Sequence, residues 1–103
     1  MENVYEEEFE LKVLRSNKPV LVDFFADWCA PCKMLSPVLE ELAAENSDFS
    51  FYKTNVDENP QLAAMFGINA IPAVLVFNNG KCVDKAIGYN TKEILQALIS
   101  KAR

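Results

Sequence analysis

Histidine is absent from all 103 residues of the chain. Without an imidazole, Ser-His-Asp and Cys-His chemistry are excluded, and so are zinc sites that use histidine ligands. Cysteine is scarce and odd in number. Cys29, Cys32 and Cys82 are too few for a disulfide-dense secreted scaffold; they leave thiol chemistry, inert packing or part of a metal site. Basic patches are missing too. The net charge is −5, and five of the 15 acids (Glu2, Glu6, Glu7, Glu8, Glu10) fall within the first ten residues, which hold no base. The remaining body is neutral, so nothing offers a basic stripe to a phosphate backbone and no nucleic-acid partner is expected. The acidic start lacks the basic and apolar regions of a signal peptide. Asn59 to Gly80 carries no charge, but Asn, Gly and Pro interrupt it too often for a membrane span. These absences predict a soluble protein of a reducing, intracellular compartment, with no membrane partner.

What is present is an alternation of strand and helix signals over a length suited to one domain, residues 1–103. No linker or repeat divides it. After a weak start near Val4–Tyr5, Phe9, Val13 and Leu14 fall near one face of a short helix. Val20–Phe25 is a β-rich apolar run, as in a strand covered on both faces. Leu35, Val38, Leu39 and Leu42 follow helical spacing, with Pro31 at the helix start and Pro37 further in, where a kink is expected. A strand at about Phe49–Val56 is followed by Asn59-Pro60 as cap and first helical residue. Leu62, Met65 and Phe66 would form that helix's buried face, and Gly67 its C-cap. Ala73–Phe77 reads as a strand, Asn79-Gly80 as a hairpin turn, and about Cys82–Gly88 as the antiparallel return. Asn90 and Glu93 suggest a capping box for a last helix packed through Ile94, Leu95, Leu98 and Ile99. The fold class is therefore α/β, with order βαβαββα: a mixed central sheet with helices on both faces.

The sharp motif is Trp28-Cys29-Ala30-Pro31-Cys32-Lys33, at the junction of the first long strand and the long helix. Chemistry in open α/β sheets gathers at such carboxyl ends of strands. Cys29, just before the helix, can aim its sulfur at unpaired backbone N–H groups, which with the helix dipole favour a thiolate. Cys32 lies one turn on and on the same side, close enough to close a disulfide. Half a zinc knuckle would need two further ligands, which only distant Cys82 or carboxylates could supply. A coincidental pair would rarely sit at a strand–helix junction with Pro between the cysteines. The redox reading outweighs both, and no metal is expected. Asp23 interrupts the apolar run, so it is expected to be buried with a raised pKa, unless it turns to a strand edge or caps a loop. In a chain without histidine, such a carboxylate is the natural base near neutral pH.

The chain resembles the thioredoxin family nearly end to end. The resemblance runs from Val22-Asp23-Phe24-Phe25-Ala26 through the Trp28–Lys33 motif and Pro37. It continues with Lys53, Asn55-Val56-Asp57-Glu58-Asn59-Pro60, Gly67-Ile68, Ile71-Pro72, Asn79-Gly80 and Gly88. It implies the thioredoxin fold and a protein-disulfide reductase working through a Cys29–Cys32 redox pair. Cys29 would be the nucleophile and Cys32 the resolving thiol. Asp23 would take up the second thiol's proton, tuned by Lys53, whose bland alternative is a solvated surface lysine. Pro72 would be cis and face the pair, its neighbouring backbone pairing with an extended substrate. Trp28, Pro31, Ile71 and Gly88 would form an apolar rim around Cys29, and Ala30 and Ala73 complete the expected substrate-binding set. No cofactor would be bound; electrons would come from thioredoxin reductase, an NADPH- and FAD-dependent flavoenzyme. The family's targets include ribonucleotide reductase, peroxiredoxin and methionine sulfoxide reductase. A cytoplasmic monomer is expected. Ala30 stands where glycine is usual, which bears on redox potential or partner preference. Ala73 stands where threonine is common, and Phe25 where many relatives have a second tryptophan. Cys82 is expected to be an inert, partly buried strand residue. Two rival readings are a thiol oxidase or disulfide isomerase on the same fold, and a non-enzymatic binding module using the rim.

Overall fold

A computed structural model describes residues 1–103. Five strands form one mixed sheet: β1 (Glu2–Asn3), β2 (Val20–Phe25), β3 (Ser50–Asn55), β4 (Ala73–Asn78) and β5 (Lys81–Ile87), in spatial order β1-β3-β2-β4-β5. The β1, β3 and β2 strands run parallel, β4 pairs antiparallel with β2, and β5 pairs antiparallel with β4. Three helices accompany them: α1 (Ala30–Glu45), α2 (Pro60–Met65) and α3 (Lys92–Ala102). The βαβαββα order predicted from sequence is thus extended by one two-residue strand, β1. Its pairing continues into the bond from Val4 N–H to the Lys53 carbonyl, 2.8 Å.

Strand alternation divides the core between the two sheet faces. On one face Leu21, Val74 and Val76 pack against Leu35, Leu39 and Leu42 of α1 and Leu95 and Ile99 of α3. On the other, Val22, Phe24, Leu75 and Phe77 meet Leu62 of α2 with Phe9 and Val13. The expected short helix around Phe9–Leu14 is a 3-10 turn (Glu6–Glu8) followed by a π-helical turn (Glu10–Leu14). The burial periodicity of Phe9 and Val13 was legible, but not the winding that produces it.

Three local expectations are corrected. Met65 is 64% exposed, and Leu62 alone is buried on α2. Ile94 is 53% exposed, since Leu95, Ile99 and Ala102 fill the inner face of α3. That helix is capped by Thr91, whose hydroxyl accepts from the Ile94 N–H at 3.3 Å, while Asn90 instead bonds the Ile87 and Gly88 carbonyls. Asn59 does precede α2, but its side chain bonds the Asn55 carbonyl and the Glu6 N–H rather than the helix's own amides. At the hairpin, Asn79 and Gly80 both have positive φ, 53° and 79°, as the tight turn between right-twisted strands requires. A Cβ on Gly80 would lie 2.8 Å from the Leu14 carbonyl oxygen, so the turn also seats the N-terminal segment. The α1 helix continues through Pro37 without a break.

Candidate active site

The end of β2 delivers Cys29 to the N-cap of α1. Its backbone is extended (φ −92°, ψ 106°), and Ala30 and Pro31 open the first turn. Cys29 Sγ accepts the Cys32 N–H at 3.2 Å. This is a free amide of the first turn pointed at sulfur, with the helix dipole behind it. Cys29 and Cys32 are joined as a disulfide, their Cα atoms 5.3 Å apart. Both cysteines are only 4% exposed, so access alone does not separate them. Their neighbours do.

On one side lies an open groove of about 380 Å³ lined by Trp28, Val56, Ile68, Asn69, Ala70 and Ile71. Trp28 is 71% exposed, and its indole N–H donates to Asp57 Oδ2 at 2.9 Å. Asp57 is held in turn by its own N–H bonding Asn55 Oδ1 at 2.8 Å. Ile71-Pro72 is a cis peptide bond. The Pro72 carbonyl accepts the Gly88 N–H at 2.7 Å, at a backbone position where Gly88 has φ 84°. That carbonyl is therefore taken, whereas the N–H and C=O of Ile71 bond no other backbone group. Ala73 is fully buried in β4, so its side chain offers no surface to a substrate. Ala30 and Pro31 are exposed.

On the other side, a smaller pocket of about 140 Å³ joins Cys32 to Asp23, with Phe25, Ala26, Asp27, Lys33, Ser36 and Lys53 completing its wall. Asp23 is 4% exposed, and its Oδ1 has no hydrogen-bond partner. Burial pushes its pKa up to about 7, against the opposing pull of Lys53. Lys53 stands directly across from Asp23 in the β2–β3 register, yet no ion pair forms. Its ammonium lies over the Phe25 ring, 5.5 Å from the centroid. Cys82 lies on the edge strand β5 and is exposed rather than partly buried. Its thiol rests 3.6 Å from the Asp84 carbonyl, and loss of hydration at the sulfur raises its pKa, which disfavours a reactive thiolate. No three acidic, histidine or cysteine side chains gather as a metal set.

The arrangement can do thiol–disulfide exchange, with two sulfurs in reach of each other, a backbone N–H donor on one and a buried carboxylate in the pocket of the other. The thioredoxin family model matches residues 1–101. The chain belongs to the thioredoxin family. It is 45% identical over 94 residues to a thioredoxin of Rickettsia bellii, covering 90% of each chain. It is 43% identical over 101 residues to one of Rickettsia felis, covering 97% of this chain and 96% of the other. A thioredoxin of Chlamydia muridarum is 50% identical over 82 residues, 80% of each chain. With the Cys29–Cys32 pair in place, this family member is a protein-disulfide reductase.

Sequence reasoning singled out Cys29, Cys32, Asp23, Lys53, Trp28 and Pro72. It assigned no role to Asp57, though the residue lies in a quoted motif; only the folded loop brings its carboxylate to Trp28. It also gave Phe25 no part beyond a departure from the usual tryptophan.

Proposed function

We propose that this disulfide reductase works in two steps carried by different surroundings. In the reduced protein the Cys29 thiolate attacks one sulfur of a target disulfide, forming a mixed disulfide and releasing the other target sulfur as a thiolate that takes a proton from water. Cys32 then gives its thiol proton to the Asp23 carboxylate. The resulting thiolate attacks Cys29 Sγ, closes the Cys29–Cys32 bond and expels the second target thiolate. Two electrons pass from the cysteine pair to the target.

The observation that carries this reading is the split of the two sulfurs: Cys29 Sγ receives the Cys32 amide at the helix start, while Cys32 opens on the Asp23 pocket. An extended target segment would pair with the free N–H and C=O of Ile71, against the groove bordered by Trp28. Gly88 supports this through its bond to the Pro72 carbonyl. Reducing equivalents would come from an NADPH-dependent flavoenzyme reductase, and the working compartment would be the reducing cytoplasm. No helix is long and apolar enough to cross a membrane.

Single-turnover reaction with a disulfide protein tests the roles. Cys32→Ser accumulates a covalent complex that dithiothreitol releases, and Cys29→Ser accumulates none. A stable adduct on Cys29→Ser with none on Cys32→Ser would reverse the two assignments.

A further inference from the structure

Lys53 is placed to form an ion pair that it does not form. Strands β2 and β3 are neighbours in register, so Asp23 and Lys53 project from opposed positions onto the same sheet face. A lysine stem is long enough to reach across adjacent strands to a carboxylate. Yet Asp23 accepts no hydrogen bond from Lys53, and its Oδ1 is left bare. The ammonium sits over Phe25 instead, 5.5 Å from the ring centroid and within the reach of a cation–π contact. Phe25 is two residues beyond Asp23 on β2 and lines the same pocket.

We propose that Phe25 is a positioning residue that holds the Lys53 ammonium off the Asp23 carboxylate and so keeps Asp23 a strong enough proton acceptor for the Cys32 thiol. The physical logic is a competition. An ammonium at the carboxylate would favour the ionised form and weaken Asp23 as a base. The ring face offers the same ammonium a second resting place, a few ångströms away, that leaves the carboxylate underpaired. The other groups that face Asp23 are Asp27 from the β2–α1 loop, and Lys33, Cys32 and Ser36 from α1. Across the β4 side it meets Val74, which brings no charge. Phe25 also packs against the Ala26, Cys29 and Cys32 cluster, which carries no charge in the oxidised protein, so the electrostatic effect of a change at Phe25 on Asp23 runs through Lys53.

The inference rests on the reading of Asp23 as the proton acceptor, and its test is chosen to separate the two. The carboxyl carbon of Asp23 is titrated by NMR in the oxidised protein, where Cys29 and Cys32 are joined and neither titrates alongside it. Phe25→Leu keeps an apolar side chain but removes the ring face. The midpoint is expected to fall by about half a pH unit or more as Lys53 swings to the carboxylate. Phe25→Met serves equally should the leucine variant fold poorly. Phe25→Tyr, which keeps the ring, restores the original midpoint. Lys53→Met raises the midpoint, and adding Phe25→Leu to it changes nothing further. An unchanged or raised midpoint in Phe25→Leu overturns the proposal, as does an equal fall in the Lys53→Met background. The pH–rate profile for target release is then compared with the midpoint. A profile that stays fixed while the midpoint moves defeats Asp23 as the acceptor but leaves the Phe25 tether standing.

Discussion

The two sides of the Cys29–Cys32 bond are built from opposite materials. The Cys29 side is a helix N-terminus fringed by exposed apolar groups, with Trp28 fixed by Asp57 and the Ile71 backbone left unpaired. The Cys32 side is a small polar pocket whose main feature is a buried carboxylate without a partner. In the proposed mechanism, the difference lets a chain without histidine produce two thiolates in succession. The first is stabilised in place by fixed dipoles and needs no base. The second would form only when a proton has somewhere to go, and the proposed acceptor is Asp23, whose pKa burial pushes up to about 7.

The largest expected effect breaks the Cys32 side. The folded protein holds the Asp23 proton up to about pH 7, whereas an ordinary aspartate releases it near 3.8. Stability contributed by that bound proton is complete at low pH and is lost as the pH rises through this window, by up to about 4 kcal/mol. Asp23→Asn stays neutral throughout. Urea unfolding should therefore find the variant close to the parent at pH 4 and markedly more stable at pH 8. An equal difference at both pH values would mean that burial does not perturb Asp23.

A change on the Cys29 side should look different. Trp28→Ala removes an exposed aromatic from the rim and should raise KM for a protein disulfide about tenfold, the scale of a lost interface anchor. Reduction of a small disulfide that never reaches the groove should change little. Asp57→Ala, which frees the indole, should give a smaller shift in the same direction. If Trp28→Ala slowed both substrates alike, the rim would serve the chemistry rather than recognition. The smallest effect is expected away from both sides: Cys82→Ser should leave turnover unaltered, because its thiol is exposed on the edge strand β5 and biased toward the protonated form.

How far these two sides could be read from sequence follows from what determines each. The CxxC pair at a strand–helix junction, the aspartate inside an apolar run and the Asn79-Gly80 turn are local signals, and each falls where its chemistry demanded. The contact of Trp28 with Asp57 and the seat of Lys53 on Phe25 join residues far apart in the chain, and only packing decides them. Ala73 illustrates the converse. Its place beside Pro72 suggests a surface role, but as the first residue of β4, paired with Phe24 on one side and Ile87 on the other, it is enclosed. Met65 and Ile94 fell on the right helices and the wrong faces, because apolar residues flank the inward positions Leu62 and Leu95 and the sheet contact alone decides which point inward.

The contrast between the two sulfurs is tested most directly by separating the two chemical steps in stopped flow, in the parent protein and in Asp23→Asn. Formation of the mixed disulfide at Cys29 should proceed at the same rate in both. Release of the target by Cys32 should slow in the variant by about a hundredfold near pH 7 and lose its inflection there. Equal slowing of both steps, or a release step untouched by the substitution, would contradict the division of labour between the helix N-terminus and Asp23.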